Sequence, residues 1–159
     1  MKITVLCVGK IKESFYRDAI AEYEKRLSKY ANLSILEVAD EKTKENPSLA
    51  EKEAVLTLEG QRLLNKIPEN AFVYILDIDG KKTDSVGFSK LIEANCNDRQ
   101  SHICYVIGGS LGLSDEVKKR GDHRLSFSDM TFPHQLMRVI LLEQIYRGFR
   151  IMHKEPYHK

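Results

Sequence analysis

Five short apolar runs alternate with helix-length segments along the chain, and that alternation leaves few folds open. Lys2–Val8 reads as a strand, and Glu13–Tyr30 as a helix with Phe15, Ala19, Ile20, Tyr23 and Leu27 at helical spacing. Leu33–Val38 is the second strand. After a polar stretch, Ala39–Pro47, Ser48 stands as an N-cap with Glu51 three residues on. The helix it opens runs to about Ile67 and is stopped by Pro68. Ala71–Ile78, nearly all apolar, is expected to be a central strand buried on both faces, with Asp79-Gly80 as the turn after it. A helix near Ser85–Cys96, a strand at His102–Ile107, a short helix from Ser114-Asp115, a brief strand at Arg124–Phe127 and a last helix, Pro133–Met152, complete the series. Such alternation gives a parallel sheet covered on both faces, so the fold class is α/β. With 159 residues and no repeats, low-complexity tracts or internal linker, residues 1–159 are expected to form a single domain.

A content of 42% hydrophobic and 30% charged residues excludes global disorder. The longest apolar run, Ala71–Leu76, is six residues, against roughly 18 for a membrane span. Ile3–Val8 is short, carries Thr4 and ends at Gly9, which reads as a strand rather than a signal peptide. No membrane association is expected. Cys7, Cys96 and Cys104 are odd in number and form no C-x-x-C, so they read as small core hydrophobes of a reducing, cytoplasmic compartment. The net charge of +2 conceals an asymmetry. Residues 118–159 hold nine Lys/Arg against four Asp/Glu, with four of the five histidines, whereas residues 1–117 hold sixteen against nineteen. A basic C-terminal face fits a polyanion, with RNA the leading candidate; ordinary variation in surface charge is the alternative.

In open α/β sheets, ligands bind beyond the carboxyl ends of the strands, at the switch in strand order. That rule singles out Leu76–Gly80, Gly108–Gly112 and Phe127–Pro133. Glycines 108, 109 and 112 lack the Cβ atoms that would obstruct a tight turn or a close ligand, and both readings stay open. No Gly-Lys-Ser/Thr follows them, Gly9-Lys10 is followed by Ile11, and G-x-G-x-x-G is absent, so ATP-driven chemistry and ordinary dinucleotide binding lose support. Ser128, Asp129 and Thr131 can cap the last helix or bond a ligand, and Pro133 suits its first turn. Asp77 and Asp79 fit turn-making or solvation better than a ligand role. Histidine spacing gives no metal signature, since His153 and His158 lack a cysteine or carboxylate set. Ser110 is not in a G-x-S-x-G elbow. The last helix carries Leu136, Met137, Val139, Ile140, Leu141, Leu142, Ile145, Tyr146, Phe149 and Met152, far more than an apolar stripe of about 100°. It is expected to be buried by its own sheet and by a second copy in a homodimer; a fully internal helix is the alternative.

Several motifs together carry a resemblance. They are Val106-Ile107-Gly108-Gly109-Ser110, Leu125-Ser126-Phe127-Ser128, Met130-Thr131-Phe132-Pro133-His134-Gln135, Leu142-Glu143-Gln144-Ile145-Tyr146-Arg147 and Pro156-Tyr157-His158-Lys159. With Val8-Gly9-Lys10 and the Leu76–Lys81 region, they resemble the ribosomal large-subunit pseudouridine N3-methyltransferases, SPOUT-class knotted enzymes, over essentially the whole chain. The resemblance implies a C-terminal trefoil knot, a homodimer, S-adenosylmethionine as methyl donor, and a pseudouridine of the 23S rRNA intersubunit stem-loop as acceptor, on the assembled ribosome. It implies cofactor contacts at Leu76, Gly108 and Phe127, Ser128, Asp129, Met130, Thr131 and Phe132, with no metal. It also implies that the tail of one protomer lies near the cofactor of the other. Tyr157 is then expected to stack on or position the base, His158 to accept its proton, and Arg147 and Lys159 to meet phosphate. Leu111, Asp84 before Ser85, and His153-Lys154 in place of a glycine-containing stretch depart from the family pattern. Two other classes compete: a noncatalytic ribosome-assembly factor on the same fold, and a metabolic enzyme with a nucleotide cofactor, which the missing phosphate signatures disfavour.

Overall fold

Residues 1–98 and 102–159 are described by the structure, a computed structural model. The elements run β1 (Lys2–Val8), α1 (Ser14–Leu27), β2 (Asn32–Val38), α2 (Leu49–Leu64), β3 (Phe72–Lys82), α3 (Ser85–Asn97), β4 (His102–Ile107), α4 (Asp115–Arg120), β5 (His123–Ser126) and α5 (His134–Met152). The strands pair in parallel in the order β2-β1-β4-β3-β5. Side-chain alternation divides the core between two faces. Ile3, Val5, Cys7, Ile103, Tyr105 and Ile107 meet α1, α3 and α5 through Ile20, Leu27, Phe88, Ile92, Leu141 and Ile145. Leu6, Val8, Cys104 and Val106 point the other way, toward Leu63 of α2 and Val117 of α4. Burial on both faces is why these strands read as unbroken apolar runs.

Two expectations about β3 change. The middle of the sheet is β4, and β3 lies one place from the edge, where Ile78 is 48% exposed. Nor does Asp79-Gly80 end the strand. Pairing with β5 skips a register there, so that Leu76 and Lys81 both face Leu125. A Cβ on Gly80 would stand 2.7 Å from the Leu125 backbone, so glycine permits a bulge where a turn was expected.

Helix ends follow local capping. α1 stops at Leu27, short of Tyr30, with the Ser28 hydroxyl donating to the Lys25 carbonyl (2.7 Å). α2 opens as expected, its Ser48 Oγ accepting from the Glu51 amide (3.2 Å), but ends at Leu64 ahead of the proline. Asp84, one of the departures from the family pattern, caps α3 by accepting from the Gly87 amide at 2.7 Å. Pro133 sits at the N-cap of α5 with ψ 135°, so the helix proper begins at His134.

The sequence reading missed Arg138, which is fully buried inside α5. It lies on the helical spacing of Leu141, Leu142 and Ile145, which was the available signal. Its Nη2 donates to the carbonyl of Val8 (3.1 Å) and to that of Gly9, and Nη1 lies 3.4 Å from Glu37. The guanidinium thus ties the end of β1 to the start of α5. Arg138→Ala strips two buried carbonyls of their donor and leaves a cavity. We expect a loss of about 3 kcal/mol or more, measured as a lower urea midpoint.

Candidate functional site

Beyond Ile107 the chain folds back on itself: Gly109 and Gly112 form a bridge, and the Gly112 amide donates to the Gly109 carbonyl at 3.1 Å. Gly112 takes φ +86°, the left-handed region that favours glycine. A Cβ on Gly108 would lie 2.5 Å from the Gly112 carbonyl oxygen. β3 passes this loop at Leu76–Ile78, and β5 ends beside it. Past β5 the Ser128 hydroxyl accepts from the Met130 amide (3.0 Å) and bends the segment toward α5.

Because β4, β3 and β5 are neighbours, the three strand-end segments meet in one open cleft of about 230 Å³. Leu76, Gly108, Phe127, Ser128, Met130, Thr131 and Phe132 all line it. Asp129 does not; it turns outward to an ion pair with Lys82. Ile107, Leu125, His134 and Met137, none of them among the expected cofactor contacts, line it too. For the strand residues the missed signal was adjacency to the flagged loops. Opposed apolar walls and the backbone of Gly108–Ser110 therefore face the same space.

Two ionisable groups border the cleft. Burial works to raise the Asp77 carboxyl, but a hydrogen bond from Arg124 Nε (3.0 Å), the Asp79 amide and the charge of Lys118 outweigh it and hold the group below its usual range. A depressed folded-state pKa stabilises above the unfolded value, and that stability is lost as pH falls through the folded one. We expect Asp77→Asn to shrink the stability lost on acidification below about pH 4, compared with wild type in urea titrations. His134 shifts down through burial and the charge of Arg138, with Asp40 opposing.

The tail residues form a second cluster. α5 ends in a turn where Lys154 has φ +53°, the Lys154 amide donates to Ile151 and the Glu155 amide to Arg150 (2.9 Å). This is the Schellman arrangement, whose left-handed position favours glycine, and it gives a physical sense to the glycine of the family pattern. Glu155 then binds Arg150 (2.6 Å), Lys29 (3.1 Å) and the Tyr30 hydroxyl. The Glu143 carboxylate accepts from the hydroxyls of Tyr157 (2.7 Å) and Tyr23 (2.9 Å) and from Arg147 Nε (2.7 Å). Arg147 also lies over the Tyr157 ring and stands 3.4 Å from His158 Nδ1. Burial, the Glu143 hydrogen bond and the Glu143 charge push the Tyr157 phenol up. Tyr157, His158 and Arg147 thus come together, but none of them lines the cleft of their own chain. Among the described residues no group of His, Cys, Asp and Glu could hold a metal ion, and no helix is long and apolar enough to cross a membrane.

Comparison with known proteins covers the same ground. A family model described as "Predicted SPOUT methyltransferase" matches residues 1–158. The chain is 57% identical over 160 residues to a "Ribosomal RNA large subunit methyltransferase H" of Clostridium botulinum strain Hall, with both chains covered in full. It is 52% identical over 159 residues, again with full coverage of both, to a protein of that name from Clostridium kluyveri.

Proposed function

The chain belongs to the SPOUT methyltransferase family, and from that premise we propose that it methylates N3 of a pseudouridine in the intersubunit stem-loop of 23S rRNA, on the assembled ribosome, with S-adenosylmethionine as donor. The observation that carries this reading is the meeting of Leu76, Gly108 and the Phe127–Phe132 segment at one cleft. The full-length relatives named as large-subunit rRNA methyltransferases support it. Membership in the family implies a knotted C-terminal part.

The residues present fit the donor. Leu76, Ile107, Leu125 and Phe127 offer a narrow apolar surface for a heteroaromatic ring, and the Gly108–Ser110 backbone offers peptide groups for its polar edge. Bound there, S-adenosylmethionine supplies a methyl group made electrophilic by its sulfonium. The chain's own tasks are to exclude water, orient the base and take its N3 proton. Phe127, Met130 and Phe132 serve the first. Tyr157, its hydroxyl held by Glu143, serves the second as a ring against the base. His158 takes the proton. The lone pair it needs faces Arg147 at 3.4 Å, and Arg147 turning to an RNA phosphate frees it, with Lys159 as a further cation at the tail.

The tail of one copy serves the cleft of another. Support comes from the distance between the two clusters in one chain. Glu143 lies six residues past Met137 along α5, about 9 Å of helix rise. Leu136, Val139 and Ile140 also remain only half-buried, an apolar face for a homodimer partner. The cytoplasm, where ribosomes reside, is the expected compartment.

The test is transfer of labelled methyl from S-adenosylmethionine to ribosomes lacking this modification. Label in the rRNA supports the reading. Tight ribosome binding without label, at saturating cofactor, favours a noncatalytic assembly factor instead.

A further inference from the structure

From an exposed ring in the first turn of α1 we infer that Phe15 is a stacking platform for an unpaired rRNA base, held beside the cleft by the Gly9–Lys12 loop. The inference rests on the functional reading above and names the surface that receives the RNA. Phe15 is 61% exposed, while every other phenylalanine or tyrosine among the described residues is buried or half-buried. It belongs to neither core cluster, so the fold gives it no packing task. Its ring is nonetheless backed, with Tyr16 at 4.5 Å between centroids.

Position and charge point to a nucleic acid. The strands are parallel, so the end of β1 lies on the same sheet edge as Gly108. The loop between β1 and α1 touches the cleft's own wall: the Lys12 amide donates to Gln135 Oε1 (3.2 Å), next to His134, which lines the cleft. Arg17 donates to the carbonyls of Lys12 (2.9 Å) and Ile11 (3.4 Å), fixing the loop against the first turn of α1. Residues 10–17 carry Lys10, Lys12 and Arg17 against Glu13 alone, with exposed Asp18 just beyond. A solvated aromatic face flanked by cations is how proteins hold unpaired bases: the ring stacks, the cations meet phosphate, and base identity matters little. A protein partner would more often require a broader apolar patch around the ring, and the exposed residues near it in sequence are Lys12, Glu13, Ser14 and Arg17.

The test compares Phe15→Ala, Phe15→Leu and Phe15→Trp on ribosomes lacking the modification. Removing a stacking ring is expected to raise the KM for ribosomes between about 5- and 150-fold in the alanine and leucine proteins, with kcat and S-adenosylmethionine affinity unchanged. Tryptophan restores the wild-type KM. The chain has no tryptophan of its own, so Phe15→Trp also places a single fluorophore at the site. Its emission is expected to be quenched on binding ribosomes that lack the modification. An unchanged KM for Phe15→Ala overturns the inference. So does recovery by leucine as full as by tryptophan, which would mean apolar bulk rather than stacking. A raised ribosome KM with an unquenched fluorophore places Phe15 against a ribosomal protein and also overturns it. Should wild type transfer no methyl at all, the functional reading fails. Cosedimentation of the same variants with ribosomes then decides whether Phe15 contacts them.

Discussion

A Gly108→Val protein is expected to bind S-adenosylmethionine about 100-fold more weakly than wild type and to lose methyl transfer in proportion. The added Cβ would stand 2.5 Å from the Gly112 carbonyl oxygen and 2.7 Å from its carbon. These are backbone atoms, so no side-chain rotation relieves the clash, and the loop that borders the cleft must open. Overpacking of this kind costs up to about 3 kcal/mol, and each 1.4 kcal/mol is tenfold in affinity. Gly112→Ala is the informative contrast. A Cβ there meets nothing within 4 Å, but φ is +86°, so only a left-handed backbone penalty of about 1–2 kcal/mol applies. Calorimetric titration of cofactor into both proteins separates a closed loop from a merely strained one. Equal affinities for wild type and Gly108→Val would remove the glycine loop from the cofactor site.

Much of this arrangement is legible in the sequence because it is local. Val5–Val8 of β1 and Ile103–Ile107 of β4 are unbroken apolar runs since both faces are covered. Ser48 and Ser114 announce their helices because their side chains bond amides three residues on. The strand-end rule reaches the cleft segments because parallel strands end on one edge, but only the order β4-β3-β5 brings those segments together, and order is a long-range property. The same limit explains the misplaced centre of the sheet. Gly80 reads as a turn until its neighbour is known: the bulge exists because the Leu125 backbone approaches it. Arg138 is invisible to a count of surface charge, since its partners are carbonyls from the far end of the chain. Part of the tail's anchorage is hidden because Glu155 reaches Lys29 and Tyr30, more than 100 residues away.

His158→Ala is expected to lower kcat by about 100-fold or more at neutral pH, with S-adenosylmethionine affinity unchanged. The N3 proton is too weakly acidic to leave unaided, and Tyr157 is a poor acceptor because burial and Glu143 keep its phenol protonated. Part of the lost rate should return as pH rises, when solvent base takes over. Tyr157→Phe provides the comparison: it keeps the ring over which Arg147 lies but gives up the hydrogen bond to Glu143. It should impair orientation and so respond little to pH. A His158→Ala enzyme with a wild-type pH–rate profile would take the proton-acceptor role away from the tail. Loss of cofactor affinity in that variant would instead make the tail part of the binding site.

The most direct test of the central claim is mass mapping of the rRNA after transfer of labelled methyl from S-adenosylmethionine to ribosomes lacking the modification. A single labelled fragment is expected, from the intersubunit stem-loop of 23S rRNA, heavier by one methyl group on the base of a pseudouridine at N3. Label on a ribose, on a different base or on protein would contradict it, as would unlabelled rRNA from ribosomes that had bound the enzyme with its cofactor.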